Sequence, residues 1–255
     1  MIQSIEFIEG YWFPLEKETQ KRFKIKTLKP TKNSRDKNPY KIFYLFEKGT
    51  IINFKEKVNV IVGENGSGKS TLIKIFNDYA GKMPNRLTLA LSDFENEEKY
   101  YQKFIELRNT EKYEFKITGD ITYRNSIFFD AEKDNPILSI PKILNPNDKN
   151  FPFLANELIN TQEESHGESL IPIIDYILDN SINYTIFMDE PETALSLKNQ
   201  LRFSKKIIES SEKRNNQIII STHSLLIIKQ FDEIFDMETK KWIKTNDYLK
   251  SLGIN

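Results

Sequence analysis

The chain has 255 residues, a formal net charge of zero, 38% hydrophobic and 29% charged residues, and no cysteine. These values suit one large globular α/β domain or two small ones and exclude a disordered chain, disulfide bonds and cysteine metal sites. No apolar run approaches the roughly 20 residues of a membrane span, and residues 1–6 lack the features of a signal peptide, so we expect a soluble, cytoplasmic protein without a membrane partner.

The N-terminal segment carries an uneven share of the positive charge. From Lys21 to Lys41 there are nine basic residues and one acidic residue, Asp36, which gives this stretch a charge of +8 in a neutral chain. Phosphate backbones reward such clusters through counterion release, so the stretch predicts contact with a polyanion, above all nucleic acid. Pro30 and Pro39 also suit a solvated surface loop, and that alternative stays open.

Periodicity and turn residues predict an order of strands and helices along the chain. Strands are expected at residues 23–26, 42–46, 58–62, 126–129, 184–188 and 217–220, and helices after residue 71, at 93–110, at 170–178 and at 197–213. Four prolines make residues 136–152 irregular. This order predicts a mostly parallel central sheet with an N-terminal antiparallel β portion. Residues 1–255 are expected to form a single domain, with 81–165 as an inserted, variable helical subdomain.

A glycine-rich segment follows the strand at 58–62. It consists of Gly63, Glu64, Asn65, Gly66, Ser67, Gly68, Lys69, Ser70 and Thr71, and it matches the phosphate-binding pattern G-x-x-x-x-G-K-[ST]. Backbone N–H groups of such a loop point at phosphate oxygens, and the following helix adds partial positive charge at its N-terminus. We therefore expect ATP here, with Lys69 on the β- and γ-phosphates and the Ser70 hydroxyl on Mg²⁺.

Two adjacent carboxylates, Asp189 and Glu190, come directly after the strand at 184–188. Such a pair at the end of a buried strand is costly unless a cation binds there. Asp189 is predicted to hold Mg²⁺ directly or through water, and Glu190 to orient or deprotonate the attacking water. Read by itself, the pair is equally typical of an ordinary acidic helix start.

Two further polar segments are candidates for the same crevice. His223 follows the strand at 217–220 and is predicted to hydrogen-bond the γ-phosphate, although a lone histidine at a strand end is usually structural. Residues 165–169, with the sequence S-H-G-E-S, lead into the helix at 170–178 and offer an anion seat at Ser165 and Gly167. Ser165 with Glu168 also fits a capping box, so that reading stays open.

Taken in chain order, these motifs resemble those of the ATP-binding-cassette (ABC) ATPases. Residues 63–71 are similar to the Walker A loop, 165–169 to a divergent signature motif, 186–190 to Walker B with its catalytic glutamate, 194–196 to the D-loop, and His223 to the switch histidine. More closely, they resemble small bacterial ATPases near those of the overcoming-lysogenization-defect nucleases and the Septu phage-defence system. The resemblance implies a P-loop NTPase fold of the ABC-ATPase type.

The resemblance also implies how such a protein works. An ATP-dependent homodimer closes on Mg-ATP, Ser165 and Gly167 of one subunit bind the γ-phosphate held by the other, and Glu190 and His223 act in hydrolysis. We expect the resulting conformational cycle to act on nucleic acid or on a separate effector chain in DNA processing or phage defence, because only a short segment follows His223.

The sequence departs from the family pattern in places, and it leaves other functions open. Glu164, His166 and Glu168 replace the usual signature residues, and Glu132 is the one candidate for the Q-loop position. The aromatic residue that would stack on adenine is open among Tyr11, Trp12, Tyr40, Phe43 and Tyr44. The alternatives are the nucleotide-binding subunit of an ABC transporter and an ATP-switched binding module with little turnover. A P-loop kinase would leave Ser165, Glu190 and His223 unexplained.

Overall fold

The computed structural model describes residues 1–8, 11–12, 44–80, 115–122, 125–131 and 166–254. Its strands are β1 (Ile2–Phe7), β2 (Tyr11–Trp12), β3 (Tyr44–Phe46), β4 (Ile51–Asn53), β5 (Val58–Val62), β6 (Phe115–Gly119), β7 (Ser126–Asp130), β8 (Thr185–Asp189), β9 (Gln217–Ser221), β10 (Glu233–Asp236) and β11 (Lys241–Lys244). Its helices are α1 (Lys69–Ala80), α2 (His166–Asn180), α3 (Leu197–Lys213), α4 (Leu225–Ile228) and α5 (Thr245–Ser251), and a 3₁₀ turn spans Pro191–Ala194.

A six-stranded sheet in the order β11-β10-β5-β9-β8-β7 carries the loops of interest. The strands from β10 to β7 are parallel to their neighbours, and only β11 is antiparallel, as the second strand of a hairpin with β10. The residues of β8 and β9 are almost wholly buried, because helices or strands cover both faces of a parallel sheet. The mostly parallel central sheet predicted from the sequence is confirmed.

The N-terminal antiparallel portion is confirmed as well. β1 pairs with β4 on one side and with β6 on the other, and β2 pairs with β3 in a separate hairpin-like ladder. A buried amide joins this portion to the central sheet. The side chain of Gln217 in β9 accepts from the Ile2 N–H at 2.7 Å and donates to the carbonyls of Ile2 at 2.7 Å and Lys55 at 2.8 Å.

The insertion predicted at 81–165 stays a prediction, but two strands in that range take part in the sheets described above. β6 and β7 both fall in that range, yet β6 belongs to the N-terminal sheet and β7 forms the edge of the central sheet beside β8. The physical reason is burial: Phe115 and Ile117 point into the core from β6, and Phe129 does so from β7. The rest of 81–165 lies outside the described residues.

Alternate residues of β8 and β9 face opposite sides of the sheet and divide the core in two. Phe187 and Ile219 pack on the side that contains α1 and the N-terminal sheet. Ile186, Met188, Ile218 and Ile220 pack on the side that contains α2 and α3. Because successive strand residues point to opposite faces, α1 and α2 lie on opposite sides of the central sheet.

The helices near the site begin and end close to their predicted positions, with one exception. α3 spans the predicted 197–213, whereas α2 starts at His166, before the predicted 170, and so contains Pro172 in its interior. None of the helices in the described parts of the chain is long and apolar enough to cross a membrane. The elements predicted at 23–26 and 93–110, residues 42–43 of the strand at 42–46, and the irregular segment at 136–152 lie outside those parts.

Candidate functional site

The glycine-rich loop connects the end of β5 to the start of α1. A Cβ atom added to Gly63, whose φ is +150°, would lie 2.6 Å from the Ser67 Oγ and 3.0 Å from the Met237 Cβ, so only glycine fits there without a shift. Gly68 has a φ of +97°, a conformation that residues with a side chain rarely adopt. The predicted strand–loop–helix arrangement is therefore present, with backbone N–H groups and a helix N-terminus at one end of the parallel sheet.

The ammonium of Lys69 is folded into this loop. Its Nζ donates to the carbonyls of Gly63 at 3.1 Å and Glu64 at 3.2 Å, and the residue is 4% exposed. Burial lowers the pKa of Lys69 from its usual 10.5, while the carboxylates of Glu190, Asp189 and Glu192 act in the opposite direction. A buried cation surrounded by acidic groups is suited to bind a polyanion that shares the crevice.

Lys69, Glu190 and His223, which lie far apart in the sequence, meet at the C-terminal ends of β5, β8 and β9. The Lys69 Nζ lies 2.7 Å from the His223 Nε2 and 3.8 Å from the Glu190 Oε1, and the His223 Nε2 lies 3.3 Å from the same Glu190 oxygen. The imidazole of His223 thus lies between the ammonium and the carboxylate, and which of its ring nitrogens donates depends on its tautomer.

The backbone at the end of β8 holds the two predicted carboxylates in place. Glu190 has a left-handed conformation with φ of +46°, which costs a non-glycine residue about 1–3 kcal/mol. Its N–H donates to the carbonyl and to the Oγ of Ser221, both at 3.1 Å. The Ser221 hydroxyl in turn donates to the Asp189 carboxylate. The neighbouring strand β9 thus fixes both Asp189 and Glu190.

Glu192, to which sequence reasoning gave no role, is part of the same group. Its Oε1 accepts from the backbone N–H of His223 at 2.6 Å. Its Oε2 is buried without a hydrogen-bond partner, and the residue is 9% exposed. The available signal was a second glutamate two residues after Glu190, at the start of the 3₁₀ turn that precedes the predicted D-loop.

The remaining predicted site residues are only partly described. Glu64, Asn65 and Gly66 are exposed, Ser67 and Ser70 are half-buried with the Ser67 Oγ buried and unpartnered, and Thr71 is half-buried in the first turn of α1. Gly167 lies in α2, which the structure describes from His166 onward. Ser165, Glu132 and the stretch from Lys21 to Lys41 lie outside the described residues, as do the side chains of the five aromatic candidates for adenine.

The donor set fits Mg²⁺ with a nucleotide but does not form a metal site made of protein ligands alone. Within the described ranges no group of three or more histidine, aspartate or glutamate side chains is arranged to hold a metal ion. Ser70 and Asp189 offer one hydroxyl and one carboxylate at the same end of the sheet. Mg²⁺ prefers such oxygen donors and takes its other ligands from water and substrate phosphates.

The known proteins that are similar to this chain include ATP-binding proteins. Residues 58–177, just under half of the chain, match the family described as "AAA domain, putative AbiEii toxin, Type IV TA system". The chain is 26% identical over 211 residues to the lacticin-481/lactococcin-DR transport/processing ATP-binding protein of Lactococcus lactis subsp. lactis. The aligned region covers 78% of this chain and 28% of that protein. It is 27% identical over 209 residues to the energy-coupling factor transporter ATP-binding protein EcfA2 of Mycoplasmoides gallisepticum. This aligned region covers 73% of this chain and 62% of that protein.

The chain therefore spans less than two thirds of the length of these two relatives. Among solved structures, it is similar to a nucleotide-free ATP-binding cassette from an ABC transporter, with a TM-score of 0.51 and 16% identity over 98% of this chain and 94% of that chain. That likeness shows the fold. The predicted α/β fold of a P-loop NTPase is confirmed, and these matches make the chain similar to ATP-binding proteins.

Proposed function

We propose that the chain binds Mg-ATP on residues 63–71 and hydrolyses it at a dimer interface to drive a conformational cycle. The observation that carries the proposal is the convergence of Lys69, Glu190 and His223, from three different strand ends, with separations between 2.7 and 3.8 Å. A buried ammonium, a carboxylate fixed by its backbone and an imidazole are suited to stabilise charge on a transferred phosphoryl group and to position the attacking water.

Each residue has a distinct part in the proposed reaction. Lys69 neutralises charge that develops on the transferred phosphoryl group, and Glu190 orients or deprotonates the attacking water. His223 turns its imidazole toward the γ-phosphate, to which a ring N–H donates, and gives up its contact with the ammonium. Ser70 and Asp189 would hold Mg²⁺, which would supply charge neutralisation for the phosphates. The chain therefore contributes position and charge rather than a covalent intermediate.

Steady-state ATPase assays and nucleotide binding test this proposal together. We expect Glu190→Gln to retain Mg-ATP binding and to lower the turnover rate by about 100-fold or more, because a neutral amide cannot activate water. Lys69→Ala is expected to abolish binding. Glu212→Gln, an exposed change on α3, is the matched control and should behave as the unchanged protein. Undiminished hydrolysis by Glu190→Gln would contradict the role of that carboxylate.

A second candidate function is that of the ATP-binding subunit of an ABC transporter. The two relatives are named as transport ATP-binding proteins, and this observation supports a transport partner more than it supports phage defence. The expected absence of a membrane partner gains no support from these relatives. The action on nucleic acid through Lys21 to Lys41, the separate effector chain and the phage-defence process stay predictions.

Purification of the chain from native cells in mild detergent distinguishes these two candidates. A transport subunit should travel with an integral membrane protein, whereas an ATPase of DNA processing should travel with a nuclease, another effector chain or nucleic acid. The ATP-switched binding module differs from both, because it predicts tight ATP binding with a turnover rate that Glu190→Gln leaves unchanged.

A further inference from the structure

The carboxylate of Glu192 lies between the end of β8 and the loop after β9. Its Oε1 accepts from the His223 N–H at 2.6 Å, and this bond joins residues that are 31 positions apart in the chain. Its Oε2 is buried and has no hydrogen-bond partner. A buried carboxylate oxygen without a partner is unfavourable for folding, so the position of this side chain needs an explanation other than stability.

Glu192 has no direct part in the cation contacts of the site. The Lys69 ammonium lies within ion-pair distance of Glu190, but no ion pair joins it to Glu192 among the described residues. Glu192 is engaged instead with the backbone N–H of the residue whose imidazole contacts that ammonium. Its charge acts on Lys69 without an ion pair, and its hydrogen bond acts on the position of His223.

A second set of hydrogen bonds also connects the loop after β9 to the residues that follow β8. Ser224, the residue after His223, donates through its Oγ to the Gln200 Oε1 at 2.6 Å. Gln200 donates through its Nε2 to the carbonyl of Leu195 at 2.9 Å. His223 and Ser224 in the loop after β9 are thus hydrogen-bonded to Glu192 in the 3₁₀ turn and to Gln200 in the first turn of α3.

We propose that Glu192 is a positioning residue that fixes the backbone of His223, and that with Gln200 it couples this loop to the segment around Leu195. A displacement of His223 on loss of the γ-phosphate is transmitted through these bonds to residues 192–200. This inference rests on the proposed hydrolysis. It adds the residues that hold His223 in position relative to Asp189 and Glu190.

Two substitutions that remove the same charge distinguish the positioning role of Glu192 from an electrostatic role. Glu192→Gln and Glu192→Met both remove the negative charge and preserve the side-chain volume, but only glutamine keeps an oxygen that can accept from the His223 N–H. We expect Glu192→Met to lower kcat by about tenfold with a much smaller change in KM, and Glu192→Gln to stay within about threefold of the unchanged protein. Equal turnover rates for the two variants, whether low or normal, would overturn the proposal.

The dependence on His223 is tested in a double-mutant cycle. In a His223→Ala background the backbone N–H is still present but the imidazole is gone, so Glu192→Met should lower kcat by no more than about twofold further. A full additional tenfold loss would mean that Glu192 acts independently of His223. Glu192→Ala replaces the methionine variant in both experiments if the latter does not fold.

Amide hydrogen exchange gives a readout that does not need turnover. The His223 N–H should exchange faster in Glu192→Met than in Glu192→Gln, since only the second variant retains its acceptor. If the unchanged protein does not hydrolyse ATP, the proposed function fails, and the exchange comparison still decides the role of Glu192. Equal exchange at His223 in the two variants would refute it even if hydrolysis is found.

Discussion

At the scale of single residues, the proposed binding of nucleotide depends on the charge of Lys69. The Lys69 ammonium is buried, which disfavours the charged form, and nearby carboxylates restore part of that loss. A bound triphosphate would favour the charged form further, because its oxygens lie in the same crevice. The affinity for nucleotide should therefore report the protonation state of this one side chain.

This argument predicts weaker ATP binding at alkaline pH. A lysine is charged below its pKa and neutral above it, and burial moves the pKa of Lys69 below its usual 10.5. As the pH rises, Lys69 therefore loses its charge earlier than an exposed lysine does, and the affinity falls before the pH reaches 10.5. Fluorescence anisotropy with a labelled ATP analogue measures this, and any residual binding by Lys69→Arg should be flat over the same range. An unchanged affinity of the original chain throughout would contradict the prediction.

Sequence reasoning predicted the candidate site residues whose motifs are local. Lys69, Ser70, Asp189 and Glu190 sit in short patterns next to apolar strands, so their chemistry and their shared edge of the sheet can be deduced together. Glu192 was missed, because its role depends on a hydrogen bond to His223 that exists only once β8 and β9 are paired. Nor does any local pattern indicate the left-handed backbone of Glu190.

At the scale of secondary-structure elements, β8 is held in place by an aromatic stack. The Phe187 ring lies 4.3 Å from the Phe128 ring of β7, with the planes 4° apart, and 5.2 Å from the Phe76 ring of α1. Phe187 is wholly buried and immediately precedes Met188 and the carboxylate pair. The stack thus links the strand of the carboxylates to the helix of the phosphate-binding loop.

Truncation of this stack should be strongly destabilising. We expect Phe187→Ala to lower the free energy of unfolding by about 3–5 kcal/mol, because it leaves a cavity between β7 and α1. Ile182→Ala, at a position that is 58% exposed, is the control and should change it by no more than about 0.5 kcal/mol. Denaturant unfolding followed by circular dichroism provides both values. A loss below about 1 kcal/mol for Phe187→Ala would show that the stack is not a main source of stability.

Some of the elements that the sequence failed to predict depend on distant partners, whereas others, such as β10 and β11, form a local hairpin. β1 is short and finds its partner β6 more than 100 positions away, and neither has a long apolar run. The parallel strands β5, β7, β8 and β9 were found, since their apolar runs are visible without knowledge of their neighbours, whereas β10 was not. The early start of α2 was missed because a proline in a helix interior is unfavourable, and packing of Leu170, Ile173 and Ile177 offsets that cost.

At the scale of the whole molecule, the position of α2 bears on the proposed dimer. α1 and its phosphate-binding loop pack on one side of the central sheet, and α2 packs on the other. The N-terminal part of α2, which contains Gly167, therefore belongs to a different side of the domain from α1. A second copy of the chain could bring its own α2 N-terminus to the open side of the bound phosphates.

We therefore expect ATP to drive association of two chains. The test is sedimentation velocity of Glu190→Gln, a variant that should bind ATP without consuming it, with and without Mg-ATP. ATP should shift this variant from one chain to two, because the γ-phosphate then contacts both the loop of one copy and the α2 start of the other. Lys69→Ala is the control and should stay a single chain with ATP, since it lacks the cation that anchors the nucleotide. If Glu190→Gln binds ATP but sediments as one chain under both conditions, ATP-driven closure does not occur in the isolated protein.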